Sequence, residues 1–287
     1  MDRKELLHAL LHADRTLVMG VLNITEDSFS DGGLYLEPDK AVAHAQRMIE
    51  QGADIIDIGA ESTRPGAVRV PEEVEKQRVV GAVAALAQAY PHIGLSVDTT
   101  RSSVAAAAIE AGAHIINDVS GGQLDADIMR VVAESDCLYI VQHWRAWLDG
   151  EGEKKTTTYE HGVTDDVYVE LEQQVTAVLD AGVPQERIII DPGLGFSKPT
   201  IEHNLPLVMG IRFLSCMGYP VLIGASRKRF IGQIVEQSGQ ADTQAARDDV
   251  TAQLSVLAAA QGAWAVRVHD VPRNRMAVQI AQDIEAF

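Results

Sequence analysis

Polar side chains that suit substrate binding follow several short apolar segments of the 287-residue chain. Asp98 ends the segment LSVD, Asn117 lies in IIND, and Asp191 stands between a run of three isoleucines and Pro-Gly. Taken singly, an Asp or Asn in such a place is most often a helix N-cap. Taken together, two carboxylates and an amide suit a flat heterocycle with adjacent N–H donors, because a carboxylate accepts two parallel hydrogen bonds. We therefore expect these three side chains to bind a heterocycle.

Four cationic candidates occupy comparable places: Arg64, Lys228, Arg267 and His269. Cationic side chains bind phosphate oxygens, and residues 226–228 also open a predicted helix whose free N–H groups favour an anion. Each cation alone is explained equally well by a solvated surface position. On a chain of net charge −17, four cations on one rim would reverse the local sign of charge. The sequence thus predicts a pocket for a heterocycle joined to an anion.

Eight apolar segments of strand length alternate with helical patterns and are expected to position these residues. The predicted strands cover residues 17–22, 54–58, 93–97, 115–117, 137–142, 187–190, 221–223 and 265–268. Gly52, Gly112, Gly182 and Gly262 stand where a C′ glycine ends a helix before the next strand. This alternation predicts an α/β protein, a (β/α)8 TIM barrel formed by a single domain over residues 1–287. The carboxyl ends of barrel strands line the active site, which would bring the polar residues together.

A doubly wound parallel sheet is the alternative architecture. It would carry a glycine-rich phosphate-binding turn after its first strand, whereas this chain has Asn23-Ile24-Thr25 there. Three predicted loops are long, at residues 23–38, 59–71 and 143–165, and loops of that length in a compact domain often bind ligands. We expect a structural role for His143, at the start of the third loop, and assign no chemistry to the rest of that loop.

Composition limits the expected partners and compartment. The chain is 46% hydrophobic but has no apolar run approaching the roughly 20 residues that a membrane span needs. Its first residues lack the apolar core of a secretory signal. Cys137 and Cys216 have no metal-like spacing, so we expect two reduced thiols in a cytoplasmic protein. No basic stripe could offset the net negative charge, so we expect no nucleic-acid partner.

Seven motifs resemble those of the dihydropteroate synthase family and occur in that family's order. They are MGVLNITEDSFSDGG at 19–33, ESTRPGA at 61–67, SVDTTR at 96–101, GAHIINDVSGG at 112–122, DPGLGFSK at 191–198, GASRKRFIG at 224–232 and RVHDV at 267–271. The resemblance implies a (β/α)8 barrel, a homodimer and a transferase. The implied reaction joins (7,8-dihydropterin-6-yl)methyl diphosphate to 4-aminobenzoate, giving 7,8-dihydropteroate and pyrophosphate, with Mg2+ as cofactor.

The resemblance also implies a role for each matching residue. Mg2+ and the diphosphate would be bound by Asn23, and the rest of the diphosphate site would be Thr63, Arg64, Arg267 and His269. The pterin would be bound by Asp98, Asn117, Asp191 and Lys228. The aminobenzoate would be held by Phe29 and Pro65, on loops that close over it, and by Lys228 and Arg229. The residues implied to be catalytic are Asp98, Lys228 and Arg64.

Two residues depart from the pattern common in that family. Glu26 stands where many members have Pro, which is expected to change the stiffness of the loop and not its chemistry. Arg229 stands where many members have a Ser near the aminobenzoate carboxylate. An arginine can still pair with that carboxylate, but the serine contact does not carry over.

The reacting carbon of the implied substrate is a methylene between an electron-rich ring and a diphosphate. We therefore expect a dissociative substitution without a covalent enzyme intermediate. Two alternatives remain open: a catalytically idle paralogue that only binds a pterin, and a methyltetrahydrofolate-dependent methyltransferase on the same barrel. The methyltransferase would leave Asn23, Arg267 and His269 without a function.

Overall fold

A closed barrel of eight parallel strands forms the centre of the computed structural model, which describes residues 2–24, 38–61, 70–145 and 157–285. The strands are β1 (Leu17–Asn23), β2 (Ile55–Gly59), β3 (Gly94–Asp98), β4 (Ile115–Asp118), β5 (Leu138–Gln142), β6 (Ile188–Asp191), β7 (Leu222–Ile223) and β8 (Ala265–Val268). β1 pairs with both β2 and β8. A parallel bridge between Ile190 and Val221 joins β6 to β7 and closes the ring. The predicted barrel is confirmed, and the open doubly wound sheet is excluded.

Helices separate the strands in the order expected for this fold. In the described residues they are α1 (Arg3–Leu11), α2 (Pro38–Glu50), α3 (Glu72–Ala89), α4 (Ser102–Ala111), α5 (Asp127–Ala133), α6 (Val163–Asp180), α7 (Ile201–Met209), α8 (Ile211–Ser215), α9 (Arg229–Gln237), α10 (Gln244–Ala260) and α11 (Val271–Glu285). Gly112 ends α4 with φ 114°, a left-handed conformation that suits glycine. None of the helices in the described segments is long and apolar enough to cross a membrane.

The lower half of the barrel interior is apolar. Ile55, Ile115 and Ile189 lie there in one cluster with Leu6 and Leu10 of α1. The helix begins with a capping box, in which the side chains of Asp2 and Glu5 bind each other's backbone N–H groups. Its last turn accepts a hydrogen bond from Trp264 Nε1 to the Leu10 carbonyl oxygen (2.8 Å). The helix therefore closes the barrel at the amino ends of the strands.

Side chains two positions farther along the same strands are polar, because successive side chains of a strand alternate between its two faces. Asp57 follows Ile55, Asn117 follows Ile115 and Asp191 follows Ile189 with this spacing. The strand register also pairs Gly59 with both Asn23 and Asp98. The upper half of the interior is therefore a polar chamber at the carboxyl ends of the strands.

Candidate active site

The barrel mouth brings together the three acceptor residues that the sequence predicts. Asp98 and Asp191 are the last residues of β3 and β6, and the register places Asn117 beside Asp98. All three side chains are buried. Asp98 Oδ1 and Asn117 Oδ1 are also buried and have no hydrogen-bond partner in the part of the chain that the structure describes. A buried acceptor without a partner costs free energy, so these two atoms suit the N–H groups of a ligand.

Arg267 lies between two carboxylates from neighbouring strands. Its Nε donates to Asp57 Oδ2 (2.6 Å), and its Nη2 donates to Asp98 Oδ2 (2.7 Å). Burial alone would lower the pKa of Arg267, but the two carboxylates raise it above its usual value. Burial raises the pKa of Asp98 to about 7; Arg267 opposes this rise and the charge of Asp57 adds to it.

Asp191, which is buried, and Lys228, which is partly buried, form a second group of charges at the barrel mouth. A Cβ on Gly224 would lie 3.7 Å from Lys228 Nζ and 3.8 Å from Asp191 Oδ2, so the two side chains meet across this glycine. Asp191 Oδ1 accepts a hydrogen bond from Gly193 N (2.7 Å). Burial raises the pKa of Asp191, against the effect of Lys228. Burial likewise lowers the pKa of Lys228 to about 8, against the attraction of Asp191.

The local reversal of charge that the sequence predicts is not found in the described part of this mouth. Arg267 and Lys228 lie among three carboxylates: Asp57, Asp98 and Asp191. The sequence analysis took no account of Asp57, which lies inside strand β2, and Arg64 lies outside the described residues, so the reversal of charge stays a prediction.

The loop after β6 holds the side chain of Lys228. Lys228 Nζ donates to the Leu194 carbonyl oxygen and lies 4.7 Å from the centre of the Phe196 ring. A Cβ on Gly195 would lie only 2.8 Å from Lys228 Cδ, so the lysine packs directly on the loop backbone. The position of this ammonium group is therefore set by the loop.

A fully buried lysine anchors that loop in turn. Lys198 Nζ contacts His143 Nδ1 (2.8 Å) and the carbonyl oxygens of Gly193 (3.1 Å) and Phe196 (3.0 Å). Because the ionised Glu170 carboxylate only accepts, His143 donates from Nε2 to Glu170 Oε2 (2.9 Å), and its Nδ1 accepts from Lys198. Burial lowers the pKa of Lys198 well below its usual value and that of His143 to about 3, so the imidazole is neutral. This contact gives His143 the structural role expected for it.

Two residues predicted to contact the diphosphate, Asn23 and His269, also lie at this end of the barrel. Asn23 ends β1, and its side chain makes no hydrogen bond with any other described residue. A Cβ on Gly59 would lie 3.7 Å from Asn23 Oδ1 and 3.7 Å from Asp98 Cβ. His269 directly follows β8, and its Nδ1 lies 2.9 Å from Ser226 Oγ.

Of the remaining predicted residues, the structure describes only Arg229. Arg229 begins α9, is exposed, and forms no ion pair or hydrogen bond within the described segments. Four others lie outside the described residues: Phe29, Thr63, Arg64 and Pro65.

Arg101 joins the two described ends of the loop that follows β2. Its Nη2 donates to the Val70 carbonyl oxygen (2.9 Å) and to Glu61 Oε1 (3.3 Å), and its Nη1 contacts Glu75. Val70 N also donates to Glu61 Oε1 (2.9 Å). Burial raises the pKa of Glu75, although Thr99 and Arg101 oppose this rise. The sequence analysis did not identify this ion network.

The residues present fit a magnesium ion held mainly by a substrate. Within the described segments, no group of three or more His, Cys, Asp or Glu side chains could hold a metal. Mg2+ prefers oxygen ligands and is commonly bound by one or two protein side chains together with substrate phosphates. The amide oxygen of Asn23 is a suitable single ligand of this kind.

Comparisons with known proteins agree with this chemistry. A family model described as "Pterin binding enzyme" matches residues 19–269. The dihydropteroate synthase of Mycobacterium leprae is 44% identical over 264 residues, which are 92% of this chain and 91% of that protein. The chain belongs to the dihydropteroate synthase family. It is accordingly a transferase of folate biosynthesis, as the sequence motifs imply.

Solved structures of this family show the same barrel. The Clostridium difficile dihydropteroate synthase, crystallised in the presence of pteroic acid, is 36% identical with a TM-score of 0.85 over 94% of this chain and 97% of that one. The Xanthomonas albilineans enzyme with 4-aminobenzoic acid is 37% identical, with a TM-score of 0.83 over 95% of this chain and 94% of the other.

Asp57 is the residue of this site that the sequence analysis missed. A signal was present, because a charged residue in the middle of the apolar strand Ile55–Gly59 is rarely buried unless it is paired. Lys198 ends the motif at residues 191–198, but nothing in the sequence of that motif indicated that this lysine would be fully buried.

Proposed function

We propose that this chain joins (7,8-dihydropterin-6-yl)methyl diphosphate to 4-aminobenzoate at the barrel mouth. The observation that carries the proposal is the pair of buried, unpartnered acceptors Asp98 Oδ1 and Asn117 Oδ1, next to Arg267. Acceptors side by side on neighbouring strands suit adjacent N–H groups of a pterin. Asp191 supplies a further carboxylate and Lys228 a donor across Gly224.

The reaction is a substitution at the methylene carbon. The bond from this carbon to the diphosphate oxygen breaks, and its electron pair leaves with the diphosphate. The aminobenzoate nitrogen then forms the new bond to carbon and loses a proton. Buried Asp98 lies against the ring N–H groups and favours the cationic ring electrostatically, because charges interact strongly where water is excluded.

Cationic groups assist departure of the diphosphate. Arg267 and His269, with Arg64 and Thr63, bind the phosphate oxygens as negative charge develops on them. Asn23 would hold Mg2+, which would supply additional positive charge to the leaving group when bound. The pKa of Lys228 is lowered to about 8, so this lysine is still mainly protonated at neutral pH. In the proposal, its ammonium group donates a hydrogen bond to the pterin near the reacting groups.

Arg229 fits the aminobenzoate carboxylate. It is exposed at the start of α9 and is one residue away from Lys228. A guanidinium binds a carboxylate through two parallel hydrogen bonds. Phe29 and Pro65 complete this part of the site in the proposal.

We also propose that the enzyme is a homodimer. Several large apolar side chains are exposed on the helices that follow β6, β7 and β8: Met209, Phe213, Leu257, Met276, Ile280 and Ile284. Three of them, on α11, recur every four residues and lie along one face of the helix. An exposed apolar face of this kind is typical of a subunit contact. Substitution of Ile280 by Glu is expected to give monomers in light scattering.

The cytoplasm is the compartment that we propose. Cys137 and Cys216 are both free thiols, and the first is buried. Unpaired cysteines are usual in a reducing compartment.

A turnover assay tests the function and separates it from both alternatives. Pyrophosphate release should require the pterin diphosphate and 4-aminobenzoate together, and dihydropteroate should form in equal amount. A pterin-binding paralogue would bind the substrate without releasing pyrophosphate. A methyltransferase would use methyltetrahydrofolate and release none.

A further inference from the structure

Asp57 is a fully buried carboxylate one layer beneath the rim of the barrel. Its Oδ1 accepts a hydrogen bond from Ser96 Oγ (2.6 Å), and its Oδ2 accepts one from Arg267 Nε (2.6 Å). Asn117 Nδ2 lies 3.5 Å from Oδ1 and 3.4 Å from Oδ2. Side chains from β3, β4 and β8 therefore converge on one residue of β2, and two of them are proposed to contact the substrate.

The carboxylate fixes the direction of the Asn117 amide. An ionised carboxylate only accepts hydrogen bonds, so the amide nitrogen of Asn117 is the group that turns toward Asp57. The amide oxygen is thereby kept away from Asp57 and has no partner within the described residues. If Asp57 carried an amide nitrogen in place of one oxygen, the Asn117 amide could turn over. It would then offer a donor where the ligand needs an acceptor.

The same carboxylate fixes the guanidinium of Arg267. Nε is bound to Asp57, and Nη2 is bound to Asp98 Oδ2. Arg267 Nη1 donates to no other atom of the described residues, so it is available to an anion. Asp98, in turn, uses one oxygen for Arg267 and keeps the other without a partner. Asn117, Arg267 and Asp98 therefore each have one polar group held by a neighbouring side chain and another that is left for a ligand.

We propose that Asp57 is a positioning residue that holds Asn117 and Arg267 from below. It acts through them: it sets the acceptor that Asn117 presents to the heterocycle and the nitrogen that Arg267 presents to the diphosphate. This inference rests on the proposed function, because the ligand it assumes is the pterin diphosphate.

The test is the near-isosteric substitution Asp57→Asn, with binding of a pterin lacking the diphosphate measured by calorimetry. The expected loss of affinity is roughly 5- to 150-fold, the range for a buried hydrogen-bonding group left unsatisfied. In an Asn117→Ala background, Asp57→Asn should lower pterin affinity by less than about threefold, because the effects of substituting two interacting residues are not additive. Asp57→Asn should also weaken the binding of pyrophosphate with Mg2+. In an Arg267→Met background, Asp57→Asn should change pyrophosphate affinity by less than about threefold.

Ser96→Ala is the matched control. It removes the third donor to Asp57 but leaves Asn117 and Arg267 in place, so pterin affinity should stay within about threefold of wild type. Unchanged binding by Asp57→Asn, or an equal loss with and without Asn117, would overturn the inference while the proposed function stands. A wild-type protein that binds no pterin would overturn the proposed function and this inference with it.

A measurement on wild-type protein covers the case in which Asp57→Asn does not fold. The Nε–H resonance of Arg267, identified by its loss in Arg267→Lys, should be protected from exchange with water both before and after ligands are added. Rapid exchange in the complex with pterin and pyrophosphate would mean that the ligand takes Arg267 away from Asp57, and the inference would be wrong.

Discussion

Pterin binding should become weaker as the pH falls below 7, because the ligand requires the ionised form of Asp98. Burial raises the pKa of Asp98 from its usual 3.8 to about 7, against the opposing charge of Arg267. In the proposed complex a pterin N–H group binds the ionised carboxylate, so a protonated Asp98 must release its proton before its Oδ1 can accept this bond while Oδ2 stays bound to Arg267. The sign is therefore fixed: affinity rises with pH through the pKa and then reaches a plateau.

The size of the effect follows from the same pKa. With a pKa of about 7, about one tenth of Asp98 is ionised at pH 6 and about one hundredth at pH 5. Affinity should fall roughly tenfold at pH 6 and roughly a hundredfold at pH 5, since one pH unit below the pKa corresponds to 1.36 kcal/mol. The charges of Arg267, Asp57, Asp118 and Glu75 all contribute to this pKa, and Lys228 also interacts with Asp98.

Calorimetry of a pterin without the diphosphate, between pH 5 and 8, measures this effect. Titrations at pH 6 in buffers with different ionisation enthalpies should show release of nearly one proton for each pterin bound. Asp98→Asn should bind weakly at every pH and release no proton, whereas Asp191→Asn should keep the dependence on pH. Constant affinity over this range, or a dependence that survives in Asp98→Asn, would refute the reasoning.

Further predictions concern the other parts of the site. Asp191→Ala should lower pterin affinity at least about tenfold in calorimetry, because hydrogen bonds to charged groups contribute roughly 1.5–3 kcal/mol each; unchanged affinity would remove this role. Lys198→Met should lower the free energy of unfolding by roughly 1–3 kcal/mol in urea, since it leaves the buried His143 Nδ1 without a donor; no loss would show that the network is not stabilising. Enzyme treated with EDTA should lose turnover and regain it with Mg2+. A sulfonamide that mimics aminobenzoate should bind roughly 5- to 150-fold more tightly with Mg2+ and pyrophosphate present, the range of typical coupling energies; equal affinity would mean that the aminobenzoate site is preformed.

The barrel itself could be predicted because its signals are local. Each predicted strand boundary lies within one residue of the observed one. Apolar runs mark the strands, and glycines such as Gly112 mark helix ends through their positive φ. The rule that strand ends line a barrel mouth then predicted that Asp98, Asn117 and Asp191 lie together there, without any knowledge of the register.

The contacts within the site could not be predicted, because they join residues that are far apart in the chain. Arg267 binds Asp57 across 210 positions, and Lys198 contacts His143 across 55. Sequence periodicity shows which face of a strand a residue occupies, but not its neighbour on the next strand. A one-dimensional pattern could have flagged Asp57 as an unusual charge in an apolar strand, but not its partners.

The balance of charge at the mouth gives a physical reason for the metal requirement that we propose. Arg267 and Lys228 lie among Asp57, Asp98 and Asp191, so the described part of the mouth does not attract an anion strongly. Two of the carboxylates, Asp57 and Asp98, hold Arg267 in place, and Asp98 and Asp191 are proposed to bind the pterin N–H groups. A diphosphate therefore needs positive charge from elsewhere, and two sources are proposed: Arg64, from the loop after β2, and Mg2+ on Asn23. The same carboxylates that make the mouth suitable for a pterin thus make it dependent on additional cations for the leaving group.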